Sequence, residues 1–367
     1  MRYYSITVGS NQPASGNNQS SASQLFYTSH PNGPYSVPNP GALNVEFDIY
    51  QYQGHIIGAN SFIRVWGISV TDISQSAVFG GKPIVVQGGM GVGLPLANPS
   101  QSGILATGTA WQVFGNWVAA ELTLDILLVP PTGDVTPTVQ GLSPPIRNCV
   151  LNWPKNTQLS DAIKNALTTA YPSNTVDINV SQNLKQDSDE QHAASDWTDL
   201  SHYVNNASIR VLNNREYFGI NITLQGSKFI VRDVGDGSAS ASTATKQILF
   251  QDLIGQPTWI KFNQIQFQTP MRADIDINDV VSLPPSQFTS TFAGFDSGSS
   301  TQTYSTYRNA SAFGGTFRIW NVHHVGNHRA PDGRSWCTVF EAVLLKANTA
   351  TGASYDVTDI STPAGTA

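Results

Sequence analysis

Seven consecutive residues, Leu43 to Ile49, alternate apolar and polar without a break. Leu43, Val45, Phe47 and Ile49 face one way, and Asn44, Glu46 and Asp48 face the other. A period of two marks an extended strand with one face buried. Short apolar runs of this kind recur along the whole chain, separated by clusters rich in Gly (31 residues) and Pro (21 residues). Charged residues make up only 12% of the 367, and hydrophobic ones 40%. So polar yet uncharged a chain would suggest disorder if its apolar residues were scattered. Grouped in strand-length runs, they predict a folded, turn-rich β protein of two or three domains.

The N-terminal third reads as β. After the alternating run comes SFIRVWGISV (61–70), with Phe62, Trp66 and Ile68 expected on one face, then a short polar break. GGKPIVVQGGM (80–90) follows, where Pro83 limits how a strand can start. Two further apolar runs occupy 104–130, and in the second Leu122, Leu124 and Ile126 alternate with Thr123, Asp125 and Leu127. Residues 11–42, rich in Ser, Asn, Gly and Pro, read as a long loop or arm. The stretch 130–147 holds five prolines and marks a boundary.

Helical spacing comes next. In LSDAIKNALTTAYP, Leu159, Ile163, Ala166, Leu167 and Ala170 fall on one stripe, with Ser160 or Asn156 as the expected cap and Pro172 as the stop. A strand-like TVDINV follows, then a weaker helix over about 196–207 with Trp197, Leu200, Val204 and Ala207 on its stripe. FGINITLQ and KFIVRDV flank Gly226-Ser227, a hairpin signal. Residues 236–245 (DGSASASTAT) read as a hinge. The β pattern resumes in QILFQDL, PTWIKFNQIQFQ, ADIDINDVVSLP, GGTFRIWNVHHV and RSWCTVFEAVLLKA, and in the last of these Trp336, Thr338, Phe340, Ala342 and Leu344 share a face. The tail from Asn348 is small, polar and expected to be mobile. The fold expected is mainly β with an α+β insert: a β domain over 1–147, the insert over 148–235 and a second β domain over 236–367. The two β blocks form either one composite sheet or two related domains, and no repeat between them shows at the level of identity.

Charge narrows the functional classes. The net charge is −6 and no stretch carries a block of Lys or Arg, which argues against gripping nucleic acid or an anionic membrane. No run approaches the ~20 apolar residues that span a bilayer, and the start lacks the apolar core of a signal peptide. Cys149 and Cys337, far apart in sequence, read as unpaired core thiols of a reducing cytosol, with one long-range disulfide as the alternative.

Four groups of residues invite a chemical reading. GGMGVG (88–93) superficially looks like a phosphate loop, but such a loop must open a helix. The LPLANP that follows forbids one, so a turn between strands is expected. His323, His324 and His328 would share zinc only if two of them stood on one helix face, and their strand-and-turn context predicts hydrogen-bonding roles instead. Asp274, Asp276 and Asp279 form the densest acidic set and suggest a glycosidase pair; on a strand, Asp274 and Asp276 would share a face and repel unless solvated, so surface acids are expected. Eight tryptophans, Trp66, Trp111, Trp117, Trp153, Trp197, Trp259, Trp320 and Trp336, could stack on sugars, but most sit in apolar periodic runs that predict core or subunit-interface packing. No catalytic, cofactor-binding or metal-ligating residue is expected.

Several segments taken together resemble bacteriophage tail baseplate hub proteins. They are FGGKPIVVQGGMGVGLPLANPSQSGILATGTAWQVFGNW, LSDAIKNALTTAYP with VDINV, ILFQDLIGQPTWIKFNQIQFQTPMRADIDINDVVSLPP and NVHHVGNHRAPDGRSWCTVF. DLIGQPTW, TPMRADI and VHHVGNHR-PDG-SW are the more specific patches. The resemblance covers most of residues 43–345 and implies two tube-like β domains per chain, six in a homotrimer, placed where a hexameric tail tube meets a trimeric central spike. It implies the tube protein, the spike, other baseplate proteins and the tape measure protein as partners, and DNA passing through the bore without specific binding. It also implies assembly in the host cytoplasm and residence in the virion, without enzymatic activity or cofactor. Low charge suits surfaces closed against neighbours, because a buried unpaired charge is costly. The alternatives are another tail or capsid-surface β protein, and a cell-wall glycan hydrolase or carbohydrate-binding module.

Overall fold

Strand follows strand through the first block: β1 (Arg2–Val8), β2 (Gln19–Ser20), β3 (Leu25–Thr28), β4 (Asn44–Tyr52), β5 (Phe62–Trp66), the short helix α1 (Val70–Gln75), β6 (Pro83–Met90), β7 (Gly103–Val118) and β8 (Glu121–Val129). The middle block holds β9 (Cys149–Trp153), α2 (Leu159–Ala170), β10 (Thr175–Asn179), β11 (Glu190–Ala194), α3 (Trp197–Leu212), β12 (Ile220–Gln225) and β13 (Lys228–Asp233). The last block holds β14 (Lys246–Gln247), β15 (Thr258–Lys261), β16 (Gln264–Pro270), β17 (Val280–Leu283), β18 (Gly315–Asn327), β19 (Trp336–Asn348) and β20 (Ser354–Tyr355). The computed structural model describes all residues except 22, 53–60, 94–97, 130–146, 214–216, 218, 226–227, 234–244, 262–263, 285–314, 349–353 and 356–367. Nearly all of the Pro-rich boundary and the hinge, the Gly226-Ser227 turn and most of the tail lie outside the described residues.

The chain is mainly β. Fifteen strands form one sheet in the order β15-β16-β19-β18-β4-β5-β8-β7-β6-β1-β3-β2, with β14, β17 and β20 attached beside that path. The alternating run behaves as its period requires: Val45, Phe47 and Ile49 are buried in β4. They join Tyr4, Ile6, Ile63, Val65, Val113, Leu124 and Ile126 in a first core, which also takes in Met271 and Trp336 from the last block. A second core lies wholly within 149–231, where α2 and α3 pack on the three-stranded sheet β10-β13-β12 and the pair β9-β11. A third core gathers Ile265, Phe267, Val281, Phe317, Ile319, Val322 and Phe340. Both free cysteines are buried.

Several expectations need correcting. In β5 the buried face is Ile63 and Val65, not Phe62 and Trp66. Arg64 explains the inversion: it lies on the outer face beside Trp66, its guanidinium 5.5 Å from the ring and its Nε 2.6 Å from Asp125. The N-terminal arm is not all loop, because β3 inserts four buried residues, Leu25–Thr28, against β1. The polar break after β5 is α1, capped by Ser69, which accepts from the Asp72 amide while the Asp72 carboxylate accepts from the Ser69 amide. The start of α2 uses neither Ser160 nor Asn156; its cap is Gln158, whose side chain makes no capping hydrogen bond. The second helix runs on to Leu212, ending at Asn213 in the left-handed region (φ 45°).

The order of strands exposes a repeat that identity conceals. β1, β4, β5, β6, β7 and β8 match β14, β15, β16, β17, β18 and β19 in chain order. Their neighbour orders also match, β4-β5-β8-β7-β6-β1 against β15-β16-β19-β18-β17-β14. One difference is that β14 pairs parallel to β17, whereas β1 pairs antiparallel to β6. The finer geometry matches too. Gly81 N–H donates to the Ala110 carbonyl (2.7 Å) and Ala110 N–H to that of Lys82 (2.8 Å); Asn278 N–H donates to Ile319 (3.0 Å) and Ile319 N–H to Asp279 (2.9 Å). Gly81 and Asn278 both sit at positive φ, 79° and 71°, which Gly and Asn tolerate best. One residue further on, each long strand bulges at a tryptophan, Trp111 in β7 and Trp320 in β18. Buried residues flank both bulges, Ala110 and Val113 in one and Ile319 and Val322 in the other.

Candidate functional site

The histidines do not converge. His323 and His324 alternate across β18, as neighbours on a strand must. His323 hydrogen-bonds Asp48 through Nε2 and stacks on Tyr50 at 3.8 Å and 11°. His324 is fully buried, its Nδ1 3.0 Å from the Thr338 hydroxyl, and burial pushes its pKa down to about 3. His328 lies past the strand, edge-on to Tyr4 at 4.9 Å, and burial with the nearby Arg2 charge lowers it to about 4. Among the described residues, no group of three His, Cys, Asp or Glu side chains is placed to hold a metal ion.

The acidic set is not on a strand. Residues 273–279 form a turn-rich crossing that buries Ile275 and Ile277 and leaves Asp276 exposed. Cations hold the other two: Arg272 grips Asp274 through two 2.7 Å contacts, and Lys246 Nζ stands 2.6 Å from Asp279. The two basic residues that folding brings in offset the repulsion at Asp274 and Asp279, while desolvation and then the Asp279 charge still push Asp276 up to about 6. Arg272 is buried and also faces Asp252 at 3.9 Å. Arg272→Ala is expected to cost roughly 1–3 kcal/mol, read as a lower urea midpoint at unchanged slope, because it strips charge-assisted hydrogen bonds from a partly buried site.

The glycine patch is also placed differently. Gly88, Gly89 and Met90 end strand β6 rather than forming a turn. A Cβ on Gly88 would sit 2.5 Å from Leu105 Cδ1, so glycine there lets β7 pack close. The Gly89 carbonyl accepts from Trp336 Nε1 at 2.8 Å, and the N-terminal amine of Met1 donates to Gly91 at 3.0 Å. Trp153, Trp197 and Trp336 are buried, while Trp117, Trp259 and Trp320 are exposed.

These contacts converge on a joint between the two β blocks. β4 pairs antiparallel with the C-terminal part of β18, from Asn321↔Tyr52 to Asn327↔Glu46, on the edge whose N-terminal part carries β17. Gly326 lies against the Phe47 ring, and Phe47 meets Trp336 edge-on at 5.2 Å. Arg2 completes the joint: its Nη1 donates to the Asn327 carbonyl (2.5 Å), its Nη2 to that of Asp332 (2.5 Å), and its guanidinium lies 5.9 Å from the Trp336 ring. The VHHVGNHR-PDG-SW patch is thus the lip of the joint. Sequence reading missed Arg2 and the paired bulges; the repeated Trp-(Gln or Asn)-Val was the signal available for the latter.

The matching stretch in the first block is the C-terminal half of β7. β6 covers β7 only as far as Thr109, and among the described residues no strand lies on that edge from Gln112 to Val118. This end of β7 presents Phe114, Trp117 and Val118, with Trp117 66% exposed. At the far end of the sheet, β15 pairs only with β16 among the described strands. A separate groove of about 440 Å³ between β9 and α2 is lined by Asn148, Val150, Asn152, Asp161, Asn165 and Thr169.

No protein-family model matches this sequence, and no curated protein matches it at a significant level. Solved structures show a distant likeness. The 43 kDa tail protein of prophage MuSo2 from Shewanella oneidensis aligns at 8% identity and a TM-score of 0.47, over 94% of this chain and 97% of that one. The tail protein from Neisseria meningitidis MC58 aligns at 10% and 0.42, over 93% and 96%. A chain of the half-lidded Francisella PdpA-VgrG complex aligns at 10% and 0.38, over 94% and 58%. With TM-scores below 0.5, these likenesses decide neither the fold nor the role of this chain.

Proposed function

We propose that this chain is a structural protein of a phage tail, a baseplate hub that works as a homotrimer between the tail tube and the central spike. The observation that carries this reading is the internal repeat: two six-strand units of the same order, joined edge to edge within one chain. Three such chains would present six related units to a sixfold tube while keeping threefold symmetry for a spike. The segment resemblance points the same way, and so does the low charge. A bore with few cations would not retain DNA as it passes. The tube, spike, other baseplate and tape measure proteins are the partners in this reading, the virion is its location, and no catalysis is involved. The ion-paired acids at Asp274 and Asp279 fit a structural role.

Cryo-imaging of virions, with an antibody fragment against the α+β insert as a marker, tests this. Threefold density for the chain between tube and spike is the expected result. The chain on a capsid surface, or missing from purified tails, would overturn the reading.

A further inference from the structure

We propose that the groove between β9 and α2 takes an extended peptide segment of another protein, which adds a strand to the second edge of β9 and sets a Lys or Arg beside Asp161. The inference concerns the α+β insert alone and stands apart from the hub reading.

β9 and β11 form a ribbon of two strands, paired from Glu190↔Trp153 to Ala194↔Cys149. Among the described residues no strand lies on the other edge of β9. Alternation decides which main-chain groups meet that edge. In an antiparallel pair, successive residues turn their N–H and C=O by turns towards the partner strand and away from it. Cys149, Leu151 and Trp153 are wholly buried, and a buried main-chain group needs a partner. Theirs therefore go to β11. That leaves the N–H and C=O of Val150 and Asn152 on the groove side, where no main-chain group of the described residues takes them up. A strand edge in this condition is a template for a further strand.

The groove beside that edge suits a polypeptide. α2 runs back along β9, because Arg147 Nη1, just before the strand, donates to the Ala170 carbonyl at the end of the helix (3.1 Å). Asp161, Asn165 and Thr169, spaced by four and exposed, form one wall, and Asn148, Val150 and Asn152 form the other. Three side-chain amides and a hydroxyl match a peptide main chain, which both donates and accepts. Val150, 61% exposed, offers an apolar contact to an alternate side chain of the added strand. Charge sets the remaining preference. Among the described residues Asp161 has no ion pair, and no Lys, Arg or His lines the groove. An occupant with one cation at the Asn152 end complements it, and an acidic one is repelled. No aromatic ring lines the groove, since Trp153 turns into the second core, so a sugar would have no face to stack on.

The test pans a displayed library of random decapeptides on the full chain, then measures the enriched sequences as synthetic peptides by fluorescence anisotropy. Mostly uncharged sequences with one Lys or Arg are expected. Asn165→Trp, at an exposed position, should fill the groove and weaken their binding at least tenfold while leaving the melting temperature unchanged. Asp161→Lys should also weaken them at least tenfold. N-methylation of alternate peptide bonds should abolish binding in one phase of the alternation and spare it in the other, as a strand paired along one edge requires. Binders that survive Asn165→Trp, that are indifferent to Asp161→Lys, or that respond alike to both N-methylated phases would overturn the inference, and so would a library that yields none. A glycan array run in parallel holds the competing case: an oligosaccharide whose binding Asn165→Trp removes would displace the peptide as occupant and overturn the proposal. The position of the chain in the virion decides the hub reading separately from all of these outcomes.

Discussion

Gly326→Ala is expected to destabilise the chain by roughly 2–4 kcal/mol, more than an exchange of one hydrogen for a methyl group suggests. A Cβ at this position would lie 2.4–2.6 Å from three atoms of the Phe47 ring. Phe47 cannot swing aside cheaply. It is buried in the first core and meets Trp336 edge-on, so moving it opens a space in that core. The alternative, letting β4 and β18 part, breaks the pairing from Asn321 to Asn327. Chemical denaturation followed by tryptophan fluorescence measures the loss. Phe47→Leu should itself destabilise, yet combined with Gly326→Ala it should cost less than the sum of the two, since the smaller side chain leaves room for the methyl. Strict additivity would show that glycine is not there to admit the ring.

Acid should loosen the same region. His324 is fully buried beside Thr338, and its pKa in the folded chain is lowered to about 3, first by burial and then by His323. Unfolded, it would titrate near 6.5. The unfolded chain therefore takes up the proton first as pH falls. Stability is whole above about 6.5 and drains away at about 1.4 kcal/mol per pH unit down towards 3. His328, lowered to about 4, adds to the loss over much of the same window. At pH 4.5 the His324 contribution alone is roughly 2–3 kcal/mol. Comparing urea midpoints at pH 7 and 4.5 for the native chain and for His324→Gln checks this. The variant should lose distinctly less on acidification, and equal losses would mean that the buried imidazole is not the group responsible.

How far the sequence could be read depended on whether a signal was local. The β4 alternation, the α2 stripe and the α3 stripe are periodic over enough residues to stand alone, and each became the element expected. The face of β5 was misread from the same kind of pattern. Large aromatics at Phe62 and Trp66 drew the reading to the wrong side, although Arg64 stands between them on the same face and marks it as the outer one, where Asp125 on β8 holds it. β3 hides in a polar stretch because four residues are too few to show a period. ADIDIND alternates perfectly yet is a crossing segment, since Ile275 and Ile277 are drawn into the third core while Arg272 and Lys246 hold two of the acids. The joint was legible only in part. Its lip stood out as a motif, but the repeat behind it lives in hydrogen bonds and bulges. Gly81 and Asn278 do the same backbone work with different side chains, so comparing letters misses it.

The joint also sets a timetable for synthesis. The contact between Asp48 and His323 spans 275 positions of chain. At roughly 5–20 residues per second, a ribosome needs on the order of 15–55 s to deliver the partner of β4 after β4 itself has emerged. Throughout that wait one edge of β4 has no mate, while crowded nascent chains nearby offer wrong ones. Glu46 and Asp48 project from that strand, so two β4 segments brought together on neighbouring polysomes meet as like charges. The carboxylates that later face β18 thereby guard the half-made molecule, and their neutralisation would be felt first as lost yield of folded chain rather than as a weaker finished one.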